Sequence, residues 1–99
     1  MKTLTRIEVN PSGDGYLSIF LNGNLLIHGD DYHDKIRDQY NGIKAYLEHV
    51  GEKFKEEKIA LDVKTGDQEW SDYDYMPDTE ETLDEYLTKM KENFKPTKP

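Results

Sequence analysis

Apolar residues recur along this chain in two alternating rhythms, first every second position and then every third or fourth. From Leu4 to Asn10, Thr5, Ile7 and Val9 face one way and Arg6 and Glu8 the other, the mark of a half-buried strand. Pro11-Ser12-Gly13-Asp14-Gly15 supplies turn residues in a row. A second strand follows over Tyr16 to Leu21, with Leu17, Ile19 and Leu21 on one face and Tyr16, Ser18 and Phe20 on the other. Asn22-Gly23 is the dipeptide that accepts positive φ at both central positions of a type I′ turn, so Leu25-Leu26-Ile27 is read as the returning strand of a hairpin.

The period then lengthens. Ile36, Tyr40, Ile43, Leu47 and Val50 form the stripe of a helix capped by Asp30 or Asp31 and stopped at Gly51. Gly42 lies inside it, allowing close approach to the sheet or marking a kink. Glu52 to Lys58 reads as a charged connection anchored by Phe54, and Ile59, Leu61 and Val63 alternate as another strand. Thr65-Gly66-Asp67 turns the chain, and Gln68 to Met76 reads as an edge strand or extended loop ended by Pro77. Asp78-Thr79-Glu80-Glu81 reads as the start of a second helix with the stripe Leu83, Tyr86, Leu87, Met90 and Phe94. The expected fold is α+β: a mainly antiparallel sheet of four to five strands with two helices packed on one face, in the order β-β-β-α-β-(β)-α. Residues 1–94 form a single domain in this reading, and 95–99, with two prolines, a loose tail.

Both faces of the hairpin carry apolar side chains. With the helices on the Leu17/Ile19/Leu21 face, Tyr16, Phe20 and Leu26 are either left for a second copy of the chain or covered by a loop or the second helix.

Charge changes the picture. The chain has 99 residues, enough for one domain, and a formal net charge of -8. Residues 62–85 hold ten acids and one base, a local charge of -9, while the remaining eleven acids and twelve bases sum to +1. An excess of acid argues against a broad basic face for nucleic acid or anionic lipid. No run approaches the roughly 20 apolar residues of a membrane span, and the N-terminus lacks the apolar core of a signal peptide. The absence of cysteine removes disulfides, thiolate nucleophiles and cysteine-based zinc sites, and fits the reducing cytoplasm.

Catalytic patterns are lacking: there is no Gly-x-Ser-x-Gly, phosphate-binding glycine loop or dinucleotide fingerprint. His28, His33 and the aspartates Asp30, Asp31 and Asp34 form the densest set of possible ligands, but the histidines are five apart and straddle a strand-to-helix boundary. A calcium loop counted from Asp72 would put Pro77 where glycine is needed and Leu83 where a bidentate glutamate is needed. Paired carboxylates for glycoside hydrolysis would need a walled cleft that nothing here announces. The chain is therefore expected not to be an enzyme and to hold neither metal nor other cofactor.

What remains is the acidic, aromatic stretch. Asp67, Glu69, Trp70, Asp72, Tyr73, Asp74, Tyr75, Asp78, Glu80, Glu81, Asp84 and Glu85 are the expected partner-binding residues. On an extended segment Asp72 and Asp74 would project to one side about 7 Å apart, from a rise of about 3.3 Å per residue, against about 3.4 Å per phosphate along one DNA strand. The aromatic rings would anchor an interface rich in arginine and lysine.

In size, acidity, lack of cysteine and mixed α+β pattern, the chain resembles the small proteins that bacteriophages encode against host defence nucleases, anti-CRISPR proteins among them, or other nucleic-acid enzymes. The resemblance is one of type, spans the whole chain, and carries over no site residue. It implies a stoichiometric inhibitor in the host cytoplasm, occupying a partner's basic nucleic-acid-binding cleft as a nucleic-acid mimic. Two alternatives stand beside it: a homodimeric assembly module paired through Tyr16, Phe20 and Leu26, and a small metal-dependent enzyme using His28, His33 and Asp34.

Overall fold

The computed structural model describes residues 1–9, 16–30, 35–63, 77, 80–91 and 94–96. They form a five-stranded mixed sheet and two helices, an α+β arrangement: β1 (Lys2–Val9), β2 (Tyr16–Leu21), β3 (Asn24–Asp30), α1 (Ile36–His49), β4 (Phe54–Val63), α2 (Leu83–Met90) and β5 (Phe94–Pro96). The sheet order is β3-β2-β1-β4-β5. Three of the four pairings are antiparallel; β1 and β4 run parallel, from Lys2 opposite Phe54 to Val9 opposite Leu61.

The hairpin forms as the dipeptide Asn22-Gly23 predicts, with φ of 52° and 84°. Asn22 also ties the turn to β1: its N–H donates to the Thr3 carbonyl at 2.8 Å, and its Oδ1 accepts from the Thr3 N–H at 2.9 Å. A β-bulge breaks the alternation, because Ile19 faces Ile27 while Phe20 faces Leu25, leaving Leu26 without an opposite number. The extra residue turns Leu25 and Ile27 to opposite faces, although they are two apart, and each joins a different apolar cluster.

The helices do not share a face. Ile36, Tyr40 and Leu47 of α1 cluster with Leu4, Leu17 and Ile19, whereas Tyr86 and Met90 of α2 cluster with Ile7, Val9, Tyr16, Phe20, Leu61 and Phe94. Since neighbouring strand residues point to opposite sides, the sheet is sandwiched between α1 and α2. The physical reason is β2, whose residues Tyr16 to Phe20 are all buried; one covered face would leave Phe20 or Ile19 in water.

Element ends differ from expectation in ways the local chemistry explains. The N-cap position of α1 is not Asp30, which lies in β3 opposite Tyr16, while Asp31 falls outside the described residues. Lys35 is the N-cap, in the left-handed region with φ 53° and no side-chain cap. The C-terminus ends at Gly51 as expected: the Gly51 N–H donates to the Glu48 carbonyl and the Glu52 N–H to the Leu47 carbonyl, the paired bonds of a Schellman motif, with Gly51 at φ 77°. β4 begins at Phe54, not Ile59, because Phe54 packs into the α1-side cluster and draws the charged connection into the sheet.

Of the expected start of α2, Asp78 and Thr79 fall outside the described residues; Glu80 and Glu81 are not helical, and Thr82 is the N-cap. Thr82 and Glu85 form a reciprocal capping box, and the Leu83 N–H donates to the Gly23 carbonyl at 2.9 Å, fastening the helix start to the hairpin turn. Phe94 is not the last residue of the helical stripe but opens β5, where Lys95 and Pro96, expected in a loose tail, pair with Asp62 and Leu61. A proline at the end of an outermost strand costs no ladder bond on its free side. The turn at 11–15 and the extended segment 68–76 lie outside the described residues. No described helix is long and apolar enough to cross a membrane.

Replacing Thr82 with alanine removes the hydroxyl half of the capping box and is expected to cost about 1 kcal/mol of stability in urea denaturation. An unchanged midpoint would mean that the Gly23 bond alone holds the helix start.

Candidate functional site

Of the twelve expected partner-binding residues, Glu80, Glu81, Asp84 and Glu85 lie within the described structure, at and before the first turn of α2. Asp67, Glu69, Trp70, Asp72, Tyr73, Asp74, Tyr75 and Asp78 fall outside the described residues. The four that are described differ in what they do. Glu81 is tucked in, its side chain 11% exposed, and Lys89 neutralises it at 3.0 Å; the same ammonium lies 5.2 Å from the centre of the Tyr86 ring. The Glu85 carboxylate accepts from the Thr82 N–H at 3.1 Å and from the Thr82 hydroxyl at 3.0 Å. Those bonds, the backbone one foremost, hold its pKa below the ordinary carboxylate value, so it stays charged at an exposed position. Glu80 and Asp84 are exposed and have no ion-pair partner among the described residues. Glu81, Asp84 and Glu85 share the rim of one shallow hollow with Thr88 and Lys89.

The face expected for homodimer pairing is not available. Tyr16 and Phe20 are 7% and 0% exposed, and α2 covers them, with the Phe20 and Tyr86 rings 5.7 Å apart. Only Leu26, at 43%, is open to solvent, because the bulge leaves it outside both clusters. His28, proposed as a metal ligand, shares a hydrogen bond between its Nδ1 and the Tyr16 hydroxyl. His33 and Asp34 lie outside the described residues, among which no three histidine, aspartate or glutamate side chains converge to hold a metal.

One polar cluster was not legible in the sequence. Arg6 and Glu8, read as the wet side of β1, are covered by α1. Arg37 reaches Glu8 at 2.7 Å, the Tyr40 hydroxyl donates to Glu56 at 2.6 Å, and Lys44 pairs with the same carboxylate at 3.2 Å. The Arg6 guanidinium lies 5.2 Å from the centre of the Tyr40 ring. Burial, then the bond to Glu56, pushes the Tyr40 hydroxyl well above the ordinary tyrosine range. The Tyr40 bond in turn lowers the pKa of Glu56, with Lys44 assisting. A tyrosine so hard to ionise serves as a fixed donor and not as a proton shuttle. On the other face burial pushes Tyr86 up to about 12. The Ser18 hydroxyl faces this phenol and offsets part of the shift, although its oxygen finds no hydrogen-bond partner of good geometry among the described residues.

Comparison with family models, with curated proteins and with solved structures gives no match for this chain. A cavity of about 200 Å³ between β4, α2 and β5 is lined by Ile59, Leu61, Leu87, Met90 and Phe94, with Lys91 at its rim. Among the described residues its lining is apolar apart from Lys91.

Two outcomes test this description. Phe20→Ala is expected to destabilise the protein by about 3–5 kcal/mol in chemical denaturation, as a fully buried aromatic does, and Phe20→Asp to unfold it instead of altering its assembly. Glu56 has a depressed folded pKa, so its contribution is present above the ordinary value of 4.5 and fades as pH falls through the lower folded value. Tyr40→Phe removes the main cause of that depression, and the loss of stability between pH 6 and the acid limb, followed by thermal unfolding, is expected to be shallower than in the parent protein.

Proposed function

We propose that the protein is a non-enzymatic binding protein whose acidic stretch, residues 62–85, engages a cationic surface on another protein, of the kind that otherwise holds nucleic acid. The observation that carries this reading is the concentration of charge: -9 in that stretch, against +1 in the rest of the chain. Glu80 and Asp84, exposed and unpaired among the described residues, and Glu85, exposed and kept ionised by its cap, are the described groups that support it. Glu81 is excluded from the contact set, since Lys89 already compensates it.

The polar cluster around Tyr40 leaves the reading intact, because its acids, Glu8 and Glu56, are matched by Arg37 and Lys44 and draw nothing from the excess. The implied activity is competition: a partner's arginines and lysines meet carboxylates in place of phosphates, and the partner's nucleic acid is displaced. Inhibition of a defence nuclease is the form this takes if the likeness to phage-encoded inhibitors holds.

The test is capture of partners by the full chain from extracts of its native host. Captured proteins that bind nucleic acid should be retained at about 50 mM salt and released by about 500 mM, where screening collapses to a few ångströms. Combined reversal of Asp72, Asp74, Glu80 and Asp84 to lysine should abolish retention and restore nucleic-acid binding by the captured protein. Retention that ignores both salt and charge reversal would defeat the proposal.

A further inference from the structure

The cavity on the α2 side of the sheet is built from three elements. Ile59 and Leu61 alternate on β4 and point the same way, toward α2. Leu87 and Met90 face them from α2, and Phe94 at the start of β5 forms the third wall. The space so formed measures about 200 Å³. Natural interiors hold few voids larger than a water molecule, and an apolar cavity of about 150 Å³ is enough to take up benzene. Water is a poor occupant here, because it needs about two to four polar partners and these walls supply hydrocarbon and one thioether.

The mouth differs from the walls. Lys91 follows Met90 and stands one turn beyond Leu87, so its stem continues the apolar wall while its exposed end brings an ammonium to the rim. The last carbonyls of α2 lie at the same end, and the chain as a whole carries -8, so an anion is turned away from this mouth unless a local cation receives it. Among the described lining residues, Lys91 is that cation. An apolar body with a single carboxylate at one end matches both the walls and the rim. Met90, unbranched and flexible, adapts the wall to a straight chain.

We propose that this cavity is a binding site for a medium-chain monocarboxylate, its hydrocarbon tail among Ile59, Leu61, Leu87, Met90 and Phe94 and its carboxylate on the Lys91 ammonium. By comparison with the benzene-sized cavity, a tail of about six to eight carbons fills the space. Burial of the tail supplies most of the attraction, and the ion pair, at an exposed rim, chiefly selects the headgroup. The site uses none of the acidic groups proposed to meet a partner protein, so either proposal can fail while the other stands.

Titration of octanoate into the full chain, followed through methyl resonances, should give saturable binding with a Kd on the order of 0.1–1 mM and a raised midpoint of thermal unfolding. The shifts should concentrate at Ile59, Leu61, Leu87 and Met90. From butanoate to octanoate, affinity should rise about fourfold per added CH2 and then level off in longer chains, once the cavity is full. Ile59→Trp, on a strand that accepts aromatic side chains, narrows the cavity and should weaken octanoate at least about tenfold, with thermal unfolding of the unliganded variant as the check that it folds. Lys91→Met, at an exposed position, keeps the apolar stem and removes the charge, and should lower the preference for octanoate over octan-1-ol several-fold. The absence of saturable shifts up to about 10 mM octanoate would overturn the proposal. So would affinity that still climbs through dodecanoate, as non-specific adsorption does, a folded Ile59→Trp variant that binds as the parent does, or a preference unchanged by Lys91→Met.

Discussion

The structure depends on a strand that cannot show either side to water. Tyr16, Leu17, Ser18, Ile19 and Phe20 of β2 are all buried, flanked by β3 and β1 within the sheet, so a helix has to arrive on each side. The chain meets this demand in sequence. β3 and β4 both run parallel to β1, and α1 is the crossover between them, laid over Leu17 and Ile19. α2 then closes the opposite side over Tyr16 and Phe20, started by the capping box at Thr82 and fastened to the hairpin at Gly23. Because apolar burial scales with area removed from water, these two coverings contribute more than any single hydrogen bond in the molecule.

Much of this is legible in the sequence. Period-two alternation located β1, β2 and the core of β4, Asn22-Gly23 located the hairpin, and Gly51 located the end of α1, because each signal depends on φ preferences or side-chain direction within a few residues. The failures are long-range. Which face a helix covers depends on whether the opposite side of β2 is also apolar all along, and both Leu17/Ile19 and Tyr16/Phe20 qualify. The start expected at Asp78 gives way to the capping box at Thr82, which lets Leu83 bond Gly23 while Tyr86 and Met90 join the cluster that holds Phe20. Phe94 fits a helical stripe as well as it fits a strand, and only the apolar partners supplied by β4 decide. Arg6 and Glu8 resembled a solvated face because their partners, Tyr40 and Arg37, lie about thirty residues away.

The distribution of charge follows the same division. On the α1 side acids are spent internally, Glu8 on Arg37 and Glu56 on Lys44 and Tyr40, which sews the crossover helix to the sheet. At the start of α2 one acid of four is consumed by Lys89 and one doubles as a cap. The candidate site is thus legible in the sequence as a surplus, but not as a shape, since sequence counts charges without saying which are already answered by a neighbour.

The bulge at Leu26 has an effect beyond letting β3 serve both clusters. Among the described residues β3 is the outermost strand on its side of the sheet, where regularly spaced amide and carbonyl groups could template a foreign strand. One surplus residue in mid-strand spoils that spacing and adds local twist, so the same irregularity that lets Leu25 and Ile27 face apart also guards the margin of the sheet against runaway polymerisation.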